Sequence, residues 1–229
     1  MFFANRFDII RLYLLDMKIY LYIDTSSEVS SIALLDQSRV IAQRTNLIQK
    51  EHASVISVHI EEICKEGGIA LATVAGVIVM NGPGSYTGLR VGLSTAKGIC
   101  YALSLPLYLI NKLAFYAYVI HRQFASLNSF YIIAQARVGE YYGALYSGDV
   151  SSLQMNIYTQ EQLLNATEHA LFSYEVKLFS LPSVQTIKSN KEDLLTYCQF
   201  IITRYEDADV LLAEPFYLKN VHINKINKL

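Results

Sequence analysis

The chain has 229 residues, of which 52% are hydrophobic and 17% charged, and its formal net charge is −1 at pH 7. That length and mix exclude an intrinsically disordered chain and allow one large or two small folded units. With charge so balanced, the chain alone carries no broad basic footprint for nucleic acid.

The first sixteen residues, MFFANRFDIIRLYLLD, are apolar but interrupted by Arg6, Asp8 and Arg11. They lack a small-residue cleavage site and are too short to span a bilayer, so no membrane association is expected. Met17 stands directly before KIYLYIDTSS, so residues 1–16 read as either a dispensable extension or an artefact of start-site choice. The runs KIYLYID, SIALLD and RVIAQRT, separated by turn residues, predict three strands in a meander. KEHASVISVHIEEICKEGG follows, with Ile56, Ile60 and Ile63 at helical spacing and a Gly67-Gly68 stop. VAGVIVMN (74–81) reads as a buried strand, and residues 88–104 as a second helix.

From about Leu107 the pattern partly restarts. PLYLIN leads into a helix to about Gln123, and SFYIIAQARVGEYYGALYSGD holds two strands about Val138-Gly139. Thr159 to Gln162 form a capping box opening a helix. YEVKLFSLP reads as a strand and NKEDLLTYCQFIITRY as a closing helix. The fold class is α/β with a mixed sheet and flanking helices, divided into an N-terminal lobe (17–111) and a smaller C-terminal lobe with a tail (112–229).

Two stretches have the chemistry of phosphate loops. NGPGSYTGLRVG (81–92) runs from a strand into a helix N-terminus, and its Gly82 and Gly84 permit close backbone approach. Ser85 and Thr87 can cap that helix or donate to an anion. Arg90, a cation in the first turn, opposes the helix dipole and calls for a compensating anion or carboxylate. Asp24, Thr25, Ser26 and Ser27 form the second stretch, and an Asx-type turn is its plainer reading. For the first, the plainer reading is a tight strand-to-helix turn.

The specific nucleotide motifs are absent. No lysine stands where a Walker loop needs one, the glycine spacing is not GxGxxG, and no Asp or Glu occurs between Glu66 and Glu140. Asp24 is therefore the best carboxylate to approach the glycine loop. The histidines show no HExxH, and His52 and His59 lie about 10 Å apart along one helix. Cys64, Cys100 and Cys198 are odd in number, far apart and set among apolar neighbours, which points to reduced, buried thiols and a cytoplasmic setting. No metal site is expected.

YIDTSSEVSSIALL, KEHASVIS, NGPGSYTGLRVGLSTAKGICYALSLPLYLIN, ARVGEYYGALY and AEPFYLKN, in that order, resemble the TsaB (YeaZ) family. The resemblance implies a two-lobed actin-like (RNase H-like) fold. It also implies a non-catalytic subunit that partners TsaD, with the ATPase TsaE, in tRNA threonylcarbamoyladenosine synthesis. TsaD-type proteins place a metal-binding His-xxx-His where this chain has Lys112 and Tyr116, and an ammonium cannot replace a neutral imidazole ligand. All eleven glycines lie at or before Gly148, leaving none in 149–229 for an adenosine-binding turn. Gln135 stands where the family often has Asp.

On this reading no residue is catalytic and no cofactor is required, with weak nucleotide binding at the two loops left open. The partner surface is expected on two helices, from His52, Ile56, Ile60 and Ile63 together with Gly88, Leu89, Gly92, Leu93, Ala96 and Cys100. The same patch would serve a homodimer. The plainer alternative is that these faces pack on the chain's own sheet. Lys219, Lys225 and Lys228 give a weakly basic tail, and tRNA is met only through the complex. The competing functions are an independent actin-like ATPase or kinase and, last, a peptidase, for which the sequence offers no zincin spacing or nucleophile–base motif.

Overall fold

The computed structural model describes residues 18–48, 51–149, 153–166, 168–174 and 184–218. The extension 1–16, the tail lysines and nearly all of the expected strand YEVKLFSLP lie outside them.

In the first unit, alternating and continuous apolar runs give β1 (Tyr20–Asp24), β2 (Ser30–Leu35) and β3 (Val40–Asn46). The β2–β3 turn is built on Asp36, whose Oδ1 accepts from Ser38 N, Ser38 Oγ and Arg39 N at 2.6–2.8 Å. Burial alone would raise this carboxyl, but those hydrogen bonds and the Arg39 guanidinium hold it below the ordinary carboxylate range. Helix α1 (His52–Gly67) stops at Gly68, left-handed at φ 65°, where the N–H of Ile69 closes on Cys64 O. β4 (Gly76–Gly82), α2 (Tyr86–Leu103) and β5 (Leu107–Asn111) follow, and α3 (Lys112–Gln123) begins in this unit and runs on past its end at Phe115.

The sheet order is β3-β2-β1-β4-β5, antiparallel on the meander side and parallel from β1 to β5. α1 and α2 lay their apolar stripes into the core formed by Leu21, Ile23, Ile32, Leu34, Val77 and Val79. This corrects the expected partner surface. His52, Ile56, Ile60, Ile63, Gly88, Leu89, Gly92, Leu93, Ala96 and Cys100 are all buried within the chain. An apolar stripe at helical spacing is what a helix needs to cover its own sheet, and here that need consumes it.

The second unit contains β6 (Ser129–Arg137), β7 (Glu140–Ser147), β8 (Gln154–Thr159), α4 (Gln160–Asn165), β9 (Ala170–Tyr174) and β10 (Gln185–Ile187). Its order, β8-β7-β6-β9-β10, has the same antiparallel and parallel pairings as the first sheet. The capping box at Thr159 and Gln162 forms as expected. β8 and β10 are short and largely polar, and the sequence reading missed both. β9 reaches the last described residue of that stretch at Tyr174, and the rest of the strand expected from there lies outside the described residues.

The units divide after Phe115, and residues Ser189–Pro215, including α5 (Lys191–Arg204), rejoin the first. The expected division at 111/112 is shifted and made discontinuous by this return. Ala208 N donates to Leu107 O at 2.7 Å, and Lys97 Nζ donates to Leu211 O and Ala213 O at 3.0 and 2.9 Å.

Ile63→Ala should cost about 2–4 kcal/mol in urea unfolding, because Ile63 is fully buried. Val58→Ala, on the opposite face of the same helix and 51% exposed, should stay within about 0.5 kcal/mol. Burial also raises all three thiols, Cys100 to about 11. Ellman's reagent at mild alkaline pH should therefore leave Cys100 and Cys198 unreacted, label half-buried Cys64 slowly, and titrate all three only after unfolding.

Candidate functional site

The parallel strands β1, β4 and β5 deliver their carboxyl ends to one edge of the first sheet, where open α/β sheets bind ligands. Asp24 closes β1, Asn81 and Gly82 close β4, and Asn111 closes β5 beside Lys112. The two predicted phosphate loops do meet there. They meet each other directly.

Ser85 N donates to Ser26 O at 2.7 Å, and Thr25 Oγ1 donates to Gly88 O at 2.7 Å. A Cβ on Gly84 would stand 2.2 Å from Ser26 O, and one on Gly88 would stand 2.0 Å from Thr25 O. On Gly92 it would meet Thr25 Oγ1 at 2.3 Å. The glycines that the sequence offers to a phosphate, or along the helix to a partner, are thus used to admit the chain's own 24–27 turn. Ser85 caps α2 by accepting from Gly88 N at 3.3 Å. Gly82 has φ 124°, a backbone conformation that only glycine takes readily.

Arg90 is met by an aromatic face: its guanidinium carbon lies 4.1 Å from the centroid of the exposed Tyr86 ring. Asp24 Oδ1 accepts from Ser26 N at 2.8 Å and Ser26 Oγ at 2.6 Å, which is the Asx-type turn. His52 holds the far side of that turn, its Nε2 2.9 Å from Ser27 O.

The residue that sequence reading valued only as a missing histidine is central here. Lys112, 1% exposed, sends its ammonium into the turn. Nζ donates to Ser26 Oγ at 3.0 Å and to Ser27 Oγ, and lies 3.8 Å from Asp24 Oδ2. A lysine at the first position of a helix opposes the dipole, and that anomaly was the signal available in the sequence. The His-xxx-His metal of TsaD-type proteins does not fit these residues. Lys112 is a cation already, and Tyr116 is stacked on Tyr174 with centroids 4.3 Å apart. Among the described residues no three of His, Cys, Asp and Glu gather as a metal site requires.

Outside the closed loops, a groove of about 500 Å³ opens between the starts of α1 and α2, lined by Ser27, Glu28, His52, Ser85, Thr87 and Val91. Its hydroxyls could hydrogen-bond a ligand, but the Glu28 carboxylate works against phosphate.

The family model described as TsaD, tRNA N6-adenosine threonylcarbamoyltransferase, matches residues 39–199. The TsaB protein of Bacillus subtilis is 31% identical over 144 residues, 63% of this chain and 62% of that protein. The TsaB protein of Escherichia coli is 31% identical over 133 residues, 58% of this chain and 57% of that protein. The chain thus spans less than two thirds of the length of either. A tRNA N6-adenosine threonylcarbamoyltransferase of Geotalea uraniireducens is 39% identical over a shorter match, 29% of this chain and 20% of that protein. The solved structure of YeaZ from Pseudomonas aeruginosa shares the fold, with a TM-score of 0.67 and 24% identity over 88% of this chain and all of that one. With its paired mixed sheets of one topology, the chain belongs to the TsaD family of tRNA N6-adenosine threonylcarbamoyltransferases, among the TsaB (YeaZ) members.

Proposed function

We propose that the chain is a non-catalytic subunit that binds and activates a TsaD-type paralogue. With a TsaE-type ATPase, that complex transfers threonylcarbamoyl from its adenylate to the adenosine beside the anticodon of tRNA. The pathway comes from the relatives, which are named for tRNA threonylcarbamoyladenosine biosynthesis. The observation that carries the subunit role is the closure of the strand-end loops on each other, with Ser26 O and Thr25 O standing where Gly84 and Gly88 would need a side chain. A loop pair so filled supports a fold kept for its surface, with no cofactor required.

Because the inward faces of α1 and α2 are spent on the core, the partner surface lies on their outward faces. Ala53, Ser57 and Val58 on α1, and Ser94, Gly98 and Tyr101 on α2, are exposed. Gly98 supports this choice. A mid-helix glycine costs about 1 kcal/mol relative to alanine, and a Cβ there would meet nothing within 4 Å in this chain. The same surface would serve a homodimer in competition with the heterodimer. tRNA is held by the complex, in the cytoplasm. Among the described residues no helix is long and apolar enough to cross a membrane.

The test is an omission assay with the TsaD-type partner, the TsaE-type ATPase, tRNA and the enzyme that forms the adenylate. Modification should vanish without this chain and fall at least about tenfold with Gly98→Arg, one such interface clash being worth over 1.4 kcal/mol. The variant's own melting temperature should hold or rise, since the position is open. Modification that proceeds equally without the chain would sink the subunit role, and an active Gly98→Arg would move the surface elsewhere.

The competing reading, an independent actin-like ATPase or kinase, has for a nucleotide the groove beside Ser27 and Thr87, where Glu28 opposes phosphate. Magnesium nucleotide at ten times its Kd would stabilise the chain by about 1.4 kcal/mol, a few degrees at this size. Millimolar Mg·ATP should leave the melting temperature within about 1 °C.

A further inference from the structure

We propose that the turn at Asp24, Ser26 and Ser27 is a site for a primary ammonium ion, and that Lys112 is its built-in occupant. An ammonium has three N–H donors and no acceptor. The turn presents three oxygens to it: Ser26 Oγ at 3.0 Å, Ser27 Oγ, and Asp24 Oδ2 at 3.8 Å. The hydroxyl of Ser26 is oriented for the task, because its own proton is given to Asp24 Oδ1 at 2.6 Å and a lone pair is left for Nζ. The charge is desolvated, with Lys112 1% exposed, so these oxygens take the place of its hydration shell.

The arrangement links three elements that the chain brings together from far apart. Lys112 opens α3, and its partners lie 85 and 86 positions earlier in the turn after β1. That same turn carries the carbonyls against which Gly84 and Gly88 pack. The ammonium therefore occupies, from within the chain, the space between the turn after β1 and the start of α3. This inference stands on the geometry of the chain alone and does not depend on its role as a subunit.

The experiment is chemical rescue of the purified full chain. Lys112→Ala removes the ammonium and its stem, and Lys112→Met removes the charge but keeps the bulk. Both should melt roughly 3–10 °C below the wild type, since the hydroxyls of Ser26 and Ser27 and the half-buried Asp24 carboxylate lose a shared partner. Ethylammonium chloride should raise the melting temperature of Lys112→Ala by several degrees, or allow it to refold if it cannot do so alone. It should leave the wild type and Lys112→Met unchanged. Tetramethylammonium chloride at equal ionic strength, too bulky and without N–H donors, should rescue nothing. Adding Asp24→Asn to Lys112→Ala should abolish the rescue. A Lys112→Met chain as stable as wild type, or a Lys112→Ala chain indifferent to ethylammonium in both melting and refolding, overturns the assignment.

Discussion

Gly88 has no side chain because a backbone oxygen occupies the place of one: a Cβ there would lie 2.0 Å from Thr25 O. The approach of the β1–β2 turn to the start of α2 is the constraint on which the first unit depends. It fixes where α2 begins, since Thr25 Oγ1 donates to Gly88 O and Ser85 N to Ser26 O. With α2 pinned at that end, Leu89, Leu93, Ala96 and Cys100 fall in line over the sheet. The glycines act through an absence of volume. A loop that could have cradled a phosphate with its N–H groups has used one of them on the neighbouring turn.

Charge at the same edge follows from that geometry. A turn ending in a carboxylate and two hydroxyls, pressed against a helix start, would leave polar groups short of water. Lys112 answers this with one ammonium, and α3 begins where the lysine must stand. Opposing the α3 dipole costs a fraction of a kcal/mol, roughly 0.3–1, which hydrogen bonds from the ammonium to two hydroxyls, each worth about 1.5–3 kcal/mol, offset. The local rule for helix N-termini is therefore broken at the point where a distant turn requires it.

Much of the fold was legible in the sequence, and the parts that were not have specific causes. The first seven elements were readable because each carries its own period and its own punctuation, such as the Gly67-Gly68 stop and the Ser85 cap. β8 and β10 were not, since QMNIYT and QTI have neither apolar alternation nor length and take their extended form from neighbouring strands. The residues expected on a partner surface pack on the chain's own sheet for a related reason. Ile56, Ile60 and Ile63 recur at a spacing that serves a partner's helix or the chain's own sheet equally well, and only the burial of their side chains decides between them. Lys112 was visible as a departure, but its role depends on contacts 85 and 86 positions away, which no local pattern reports.

The second unit repeats the strand order of the first yet cannot repeat its site. β1 and β2 are separated by residues 25–29, enough for a turn with two hydroxyls and a threonine reaching back to a helix. β6 and β7, the topological counterparts, are separated only by Val138 and Gly139, the glycine at φ 78° and the valine 96% exposed. A two-residue hairpin leaves nothing to pack against a glycine loop and no oxygens to gather a cation. Gln135, near the end of β6, also lacks the charge that Asp24 brings to the end of β1. The two units share one topology but differ at this edge: the first sets a turn and a lysine against its glycine loop, and the second has only a two-residue hairpin. Strand order alone therefore does not make the site at this edge; residues 25–29, long enough to reach the start of α2 and to gather the Lys112 ammonium, do.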